Sequence, residues 1–371
     1  MSITIETAVL AKAMKSAAAV TEACNIVPIL SNARLMADGD ELEIVTSNLD
    51  VEFRQRLPLA SGGALAVTVD AKRLSTLAAA APRGSQLAIE AEEGRAIVKS
   101  GRSRWTMPVL PVDDFPTIIF EGESELRIGA AGLSEAFARV LWSVSDEPTR
   151  HYLNGPLLHG DQGTSVLAAT NGHCLMRVPL PNAHPEAAPD VILGPKWCRI
   201  VESLAKDAGE GDTVILRWSD KVIRATLSSK TGASPIEVTG KVIDGTFPDY
   251  RRVIPELIDR PMTVDPVALK EALRRVQVLA SEKTRAVKLE RGAGVLELTC
   301  QSPDTGMGRE EVPADCEAGF SSGFNARYLT DMLTAIGGDS VTIHHVNAGA
   351  QARFGRVVDD GAIGVVMPVR I

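Results

Sequence analysis

The side chains able to do chemistry are few and scattered. Six histidines occur, His151, His159, His173, His184, His344 and His345. The five cysteines, Cys24, Cys174, Cys198, Cys300 and Cys316, are odd in number and form no C-x-x-C pair. That pattern speaks against zinc ligation and against a disulfide framework, so reduced thiols in a cytoplasmic protein are expected. His344 and His345 lie side by side on a strand-like run, where neighbours face opposite sides and cannot share a metal; one exposed and one half-buried ring are expected. His173 closes Ala169-Thr170-Asn171-Gly172-His173, read as a tight turn between strands because Asn-Gly is a leading hairpin signal. A general base at His173 would need a nucleophile or a carboxylate that the sequence does not place beside it. The sequence contains no G-x-G-x-x-G after a strand, no G-x-x-x-x-G-K-[ST], no H-E-x-x-H and no G-x-S-x-G. No catalytic residue, metal or cofactor is expected.

The remaining chemistry is electrostatic. The 371-residue chain carries a formal net charge of −8, which taken alone disfavours nucleic acid. The charge is unevenly placed. Six windows read as amphipathic helices: 8–20, 70–81, 133–144, 195–206, 265–280 and 325–336. Their basic residues are Lys12, Lys15, Lys72, Arg73, Arg139, Lys196, Arg199, Lys206, Lys270, Arg274, Arg275 and Arg327; their acids are Asp70, Glu135, Glu202, Asp265, Glu271 and Asp331. The windows therefore hold +6 and the rest of the chain −14. Lys and Arg are good helix formers on any solvated face. Six basic helices in an acidic chain point further, to a helical surface that meets a polyanion through its phosphates without reading bases. Screening over about 8 Å keeps distant acids from cancelling such a lining.

The elements that must position these residues repeat. Window starts are separated by 62, 63, 62, 70 and 60 residues. Between them lie alternating runs such as LEIVTS, VEFRQRL, AIVKS, SRWTMPV, TVILRWS, KVIRATL and VLELTCQ, so each period holds one helix and several strands. Two periods make about 125 residues, a normal domain size. An α+β chain of three similar domains is expected, each with two helices packed on antiparallel sheets. The boundaries fall in loop-like stretches near 121–125 and 255–260, giving domains 1–122, 123–256 and 257–371. Hydrophobic residues at 45% fit packed cores, and aromatics at 4% make those cores aliphatic. No apolar run approaches the roughly 18 residues of a membrane span, and the N-terminus lacks a basic n-region before an apolar stretch. From the residues alone, a β-rich scaffold unrelated to DNA and an enzyme using His173 stay open as rivals.

Six blocks stand out along the chain: Val27-Pro28-Ile29-Leu30-Ser31-Asn32; Gly101-Arg102-Ser103-Arg104 with Leu110-Pro111 and Asp114-Phe115-Pro116; Tyr152-Leu153-Asn154-Gly155; the 169–173 turn; Phe247 to Pro255 (FPDYRRVIP); and Val365 to Ile371 (VVMPVRI). In this order, and along essentially the whole chain, they resemble one family, the bacterial DNA polymerase III β subunit, the β sliding clamp. The chain departs from the family pattern at Cys24, where a basic residue is frequent, and at Asn171, where the turn usually has Asp. It departs also at Cys174, where a larger residue is common, and at His151, where an aromatic is frequent.

The resemblance implies a processivity factor rather than an enzyme: a DNA clamp fold closing as a head-to-tail homodimer into a ring that encircles duplex DNA and slides without sequence preference. It implies tethering of the DNA polymerase III catalytic subunit, the clamp loader, and other polymerases and repair proteins carrying a short clamp-binding motif, and no membrane. By the same resemblance, Lys12, Lys15, Arg73, Lys196, Arg199 and Arg275 face the channel, with Lys72, His151 and Tyr152 nearer its rim. The dimer contact is assigned to Arg95, Arg102, Arg104, Trp105 and Met107 on one side and Val278, Leu279, Glu310 and Glu311 on the other. A partner-peptide cleft is assigned to Leu153, Thr170, Gly172, His173, Leu175, Pro248, Arg252, Val253, Val365, Met367, Pro368, Val369 and Arg370.

Overall fold

A computed structural model describes residues 2–280, 285–302 and 306–371. Six α-helices form where the apolar period predicts them: α1 (Thr7–Val20), α2 (Ala71–Ala80), α3 (Ala130–Val140), α4 (Pro195–Lys206), α5 (Pro266–Val276) and α6 (Ala326–Ile336). Side chains cap three of the helix starts. Asp70 accepts from the Arg73 amide at 2.8 Å. Asp265 accepts from the Val267 and Ala268 amides at 2.7 and 3.3 Å, and Asn325 from those of Arg327 and Tyr328 at 2.9 and 3.3 Å. Each satisfies amide groups that a helix start leaves without an internal partner. α1 buries Leu10, Ala13, Met14, Ala17 and Val20, the i, i+3, i+4, i+7 face.

Three helix bounds differ from expectation; α3 ends at Val140 and passes into a 3₁₀ turn, Leu141–Ser143, instead of running to Val144. α3 starts at Ala130 rather than Leu133, because the Ala130 amide finds a partner outside the helix, the Asp212 carbonyl at 2.9 Å. α5 ends at Val276 and tightens into a 3₁₀ turn, Gln277–Leu279, instead of running to Ala280.

The chain packs as two compact units, Met1–Ser134 with His184–Ile243, and Glu135–Ala183 with Asp244–Ile371. In the first unit a four-stranded antiparallel sheet has the order Ser2–Glu6, Gln86–Glu92, Arg95–Ser100, Ser103–Pro108. A longer antiparallel run follows the order Leu65–Asp70, Asn32–Asp38, Glu41–Ser47, Val51–Pro58, Ile236–Ile243, Val222–Ser228, Thr213–Trp218, Ser124–Gly129. In the second unit the run is Leu157–Asp161, Thr164–Thr170, Cys174–Ala183, Ile363–Val366, Ala352–Arg356, Val341–His344, Met262–Val264, Gly306–Asp315, Val295–Ser302, Ala286–Arg291, Ser321–Asn325. Both runs continue through the expected domain boundaries, which is why the packing divides in two although the sequence repeat has three parts.

The cores are aliphatic, with Trp197 and Trp218 wholly buried in the first unit and their indole N–H groups donating to the Val238 and Pro189 carbonyls, each at 2.9 Å. A Cβ at Gly240 would lie 2.6 Å from the Trp197 ring, so glycine there lets the strand pass over the indole.

One helical cation is not on a solvated face. Arg139 of α3 is buried; its Nε donates to the Ala335 carbonyl at 2.7 Å and its Nη1 pairs with Asp360 at 2.8 Å. Arg356 Nε donates to the Ile336 carbonyl at 2.6 Å and its Nη1 reaches the same carboxylate at 3.1 Å. Two guanidiniums thus cover the last carbonyls of α6, which that helix cannot bond itself. The adjacent histidines also differ from expectation: His344 is half-buried and accepts from the Ile258 amide at 3.2 Å, while His345 is buried. Losing Arg139 leaves the buried Ala335 carbonyl without its donor and Asp360 with Arg356 alone. Arg139→Ala should lower unfolding stability by about 3 kcal/mol, whereas Arg327→Ala, whose ion pair is exposed, should cost no more than about 1 kcal/mol; denaturant titration of both variants checks this.

Candidate functional sites

In the first unit α1, α2 and α4 hold six of the cations assigned to a DNA-facing surface. Lys12 and Lys15 are exposed one turn apart on α1. α1 packs against α2 and α4, and the two lysines line a groove beside α4 together with Arg56 and Lys230, which sequence reading did not single out. Among the described residues Lys12, Lys15 and Arg199 carry no ion pair. Arg73 is exposed and 3.9 Å from Asp70. Lys72 and Lys196 are engaged: Lys72 Nζ donates to the Glu22 carbonyl at 2.7 Å, and Lys196 Nζ donates to the Val20 carbonyl at 2.6 Å and pairs with the Glu22 carboxylate. After α1 the chain shows Cys24, Ile26 and Val27 to solvent, Ile26 fully.

The other three assigned cation-side residues lie in the second unit. His151 is exposed and Tyr152 half-buried on a 3₁₀ stretch, Pro148–Leu153, with their rings edge to face at 5.8 Å. Arg275 of α5 does not stand free. Its guanidinium grips Glu310 through two hydrogen bonds of 2.9 and 3.1 Å, and that contact holds the Glu310 carboxyl below the usual range. The arginine assigned to the lining and the glutamate assigned to the dimer contact are therefore one ion pair.

The residues assigned to the dimer contact occupy two sheet edges. Ser103–Pro108 is the last strand of its sheet, with Arg95, Arg102 and Arg104 exposed around a half-buried Trp105. Met107 is 4% exposed and belongs to the core of its own unit, so it supports this edge from beneath and offers little surface. In the second unit Gly306–Asp315 pairs with Val295–Ser302 along its length, but on its other side, among the described residues, only Ala314 and Asp315 meet a strand. On the 3₁₀ turn Gln277–Leu279, which packs against this strand, Val278 is 75% exposed and Leu279 half-buried; Glu311 on the strand itself is exposed. The edge also shows Met307, 61% exposed, and Arg309, neither of which sequence reading chose.

The residues of the assigned cleft are all in the second unit, and one strand pairing assembles most of them. Cys174–Arg177 runs antiparallel to Ile363–Val366, which sets Leu175 opposite Val365. The ladder ends before Pro368; the Met367 amide donates to the His173 carbonyl at 2.9 Å, and the Val369 amide to the Gly323 carbonyl at 2.8 Å. The tail thus leaves the sheet at the proline and is tied down again one residue later. The turn is closed by Asn171, whose Oδ1 accepts from the His173 and Cys174 amides, both at 2.9 Å, and by Thr170, whose hydroxyl accepts from the Gly172 amide at 3.1 Å and donates to the Cys174 carbonyl at 2.7 Å. Asn in place of Asp keeps that acceptor geometry and removes the charge. Gly172 takes φ +88°, and a Cβ there would meet Arg150 at 3.1 Å.

His173 is exposed and stacks on Tyr328 of α6, ring centroids 6.0 Å apart and 16° from parallel. Tyr328 is a wall residue no motif announced; only the fold lays α6 beside the turn. Leu153 is buried, Pro248 exposed, Arg252 salt-bridged to Asp249 at 3.0 Å and Arg370 exposed. Val253 is 43% exposed and its carbonyl accepts from Gln351, whose neighbour Ala352 pairs with Val366. His159, unassigned, shares a 2.9 Å hydrogen bond with the hydroxyl of buried Tyr250 and so anchors the segment that carries Pro248 and Arg252. Cys174 and Cys198 are buried, and desolvation pushes both thiols up, away from reactivity.

The repeated α+β build, the helices with unpaired lysines and the turn joined to the C-terminal strand define the three-domain sliding-clamp class. Models of the DNA polymerase III beta subunit match the N-terminal domain at 1–119, the central domain at 127–249 and the C-terminal domain at 251–370. The chain is 34% identical to the beta sliding clamp of Caulobacter vibrioides and 32% identical to that of Pseudomonas aeruginosa, with full coverage of both partners in each case. Among solved structures it is similar to a Pseudomonas aeruginosa DNA polymerase sliding clamp crystallised with a ligand, TM-score 0.92 at 31% identity. It is similar also to the Bartonella birtlesii sliding clamp bound to griselimycin, TM-score 0.94 at 29% identity, each over the full length of both chains. The chain belongs to the bacterial DNA polymerase III beta subunit family, the non-catalytic processivity factors of DNA replication.

The turn occurs twice. In the first unit Asn48 Oδ1 accepts from the Asp50 and Val51 amides at 3.2 and 2.7 Å, Ser47 Oγ accepts from the Leu49 amide at 3.2 Å, and the Lys241 amide donates to the Asp50 carbonyl at 2.8 Å. Leu49 stands where the other copy has Gly172 and takes φ +76°. A left-handed leucine costs roughly 1–2 kcal/mol, part of which glycine returns as backbone entropy. Leu49→Gly should therefore stabilise the chain by about 0.5–1 kcal/mol, and Gly172→Leu should destabilise it by about 1–2 kcal/mol; paired denaturation curves read both.

Proposed function

We propose that two copies of this chain close head to tail into a ring around duplex DNA, slide on it without reading sequence, and tether other replication and repair proteins through the 170–175 and 365–370 cleft. The three-part organisation is 1–122, 123–256 and 257–371, and the protein works in the cytoplasm. The observation that carries the reading is that the turn, the Tyr328 ring and the proline-broken tail meet at one end of one sheet, around the 39% exposed Met367. Such a slot suits a short linear motif of apolar side chains, and the Arg252 head can meet an acidic or polar one. The lining is sequence-blind: its cations are lysines and arginines on helix faces, suited to phosphate and not to base edges. The two open strand edges, arginine-rich on one and carrying Glu310 and Glu311 on the other, are complementary for pairing between copies. By this reading the polymerase catalytic subunit, the clamp loader and repair proteins compete for one cleft per subunit.

A ring holds DNA by topology. The wild-type protein loaded on circular duplex should remain through gel filtration at high salt and be lost on linearisation. Val278→Asp with Leu279→Asp should run as a folded monomer that is not retained, because a charge buried without a partner costs several kcal/mol; a dimer of normal mass would place the contact elsewhere.

Deleting residues 367–371 should leave dimerisation and DNA retention intact while the affinity for a fluorescent clamp-binding peptide falls at least tenfold. Full peptide affinity in the truncated protein would remove the tail from the cleft.

A further inference from the structure

Glu22 follows α1 and is the point on which three separate elements converge. Lys196 of α4 pairs with its carboxylate and donates to the Val20 carbonyl at 2.6 Å. Lys72 of α2 donates to the Glu22 carbonyl at 2.7 Å. Asn48, from the turn that carries Leu49, donates its Nδ2 to the carboxylate at 2.8 Å. The hydrogen bond from Lys196, and after it the one from Asn48, hold this carboxyl below the usual range. Half of the Glu22 side chain and 31% of that of Lys196 remain exposed, so a second anion can reach the ammonium without any element unfolding. Lys12, Lys15 and Arg199 on the same helices have no such counter-ion among the described residues. The cations of this surface therefore include open ones, Arg73 beside its own cap residue Asp70, and two already bonded at Glu22.

A carboxylate oxygen and a phosphate oxygen make the same contact with a lysine, a charge-assisted hydrogen bond, and one ammonium in this position serves either but not both in full. We propose that Glu22 is a resident phosphate surrogate: it occupies Lys196, and fixes the segment that holds Lys72, until a backbone phosphate of duplex DNA displaces it. The inference rests on the reading of α1, α2 and α4 as a DNA-facing surface. Its physical consequence is an exchange in place of a net gain. A phosphate arriving at Lys196 breaks one ion pair to make another, so it is held weakly and released readily, as a protein retained by topology requires. The Val20 carbonyl, at the negative end of the α1 dipole, keeps the ammonium in place while the anions change.

The test is equilibrium binding to short fluorescein-labelled duplexes of two unrelated sequences, read by anisotropy across a salt series. Glu22→Gln keeps an acceptor for Asn48 and removes the charge. It should tighten binding by roughly two- to fivefold, the range of a released surface ion pair, and steepen the log–log salt slope by about one. Thermal unfolding should be unchanged. In a Lys196→Gln background the same substitution should gain nothing. Unchanged affinity and slope in Glu22→Gln would overturn the proposal, and so would an undiminished gain without Lys196, which would reduce Glu22 to one more distant negative charge. Lys196→Glu with Arg199→Glu tests the surface itself: weaker binding with a shallower slope leaves that reading standing whatever Glu22 does. No loss there would remove the surface and the surrogate together.

Discussion

The antiparallel pairing of strands distant in sequence governs the rest of this structure. Val51–Gln55 pairs with Ile236–Gly240 in one unit, and Cys174–Arg177 with Ile363–Val366 in the other. An unpaired strand edge is an open invitation to association, and each pairing removes two of them. Each also fixes, through its register, what lies at its end. In the second unit that end is the His173 turn against Met367; in the first it is the Asp50 turn against Lys241, with the corresponding amide-to-carbonyl bond in both. The segments of the assigned cleft are thus brought together by how the sheet is continued, and they come from residues nearly two hundred positions apart because the ladder does.

The two copies of the turn show how one backbone device is put to different use. Asn48 and Asn171 close their turns in the same way, yet glycine occupies the left-handed position in one and an exposed leucine in the other. Gly172 takes its φ without strain and lies under the Arg150 guanidinium, whereas Leu49 carries an exposed side chain at the same backbone position. The backbone repeats, and the side chains at the left-handed position differ between the copies.

Charge is organised with the same economy. An acidic chain carries cations on helices, and their environments separate them by role. Arg139 and Arg356 are spent on the last carbonyls of α6 and on Asp360, contacts that are half or more withdrawn from water. Arg275 is held by Glu310. Lys12, Lys15 and Arg199 are left to solvent. Screening over about 8 Å means that each of these neighbourhoods is felt locally and the net charge of −8 is felt hardly at all.

The six helices and the seven strand runs named from alternation were legible in the sequence, because periodicity is a local cause with a local effect. The Asn171 turn was legible for the same reason, and the family resemblance followed from blocks that each lie within a few residues. Partnerships were not legible. Nothing near Arg139 in sequence announces Ala335 or Asp360, and nothing near Lys196 announces Glu22. Tyr328 beside His173 and Met107 inside its own core depend likewise on contacts between distant segments. Periodicity can say that a lysine lies on the outer face of a helix, but only packing decides which carboxylate that face meets. Composition and spacing therefore determined the elements and the sign of their surfaces; the tertiary structure decided which charges are free, because a charge is freed or spent by the groups within a few ångströms of it.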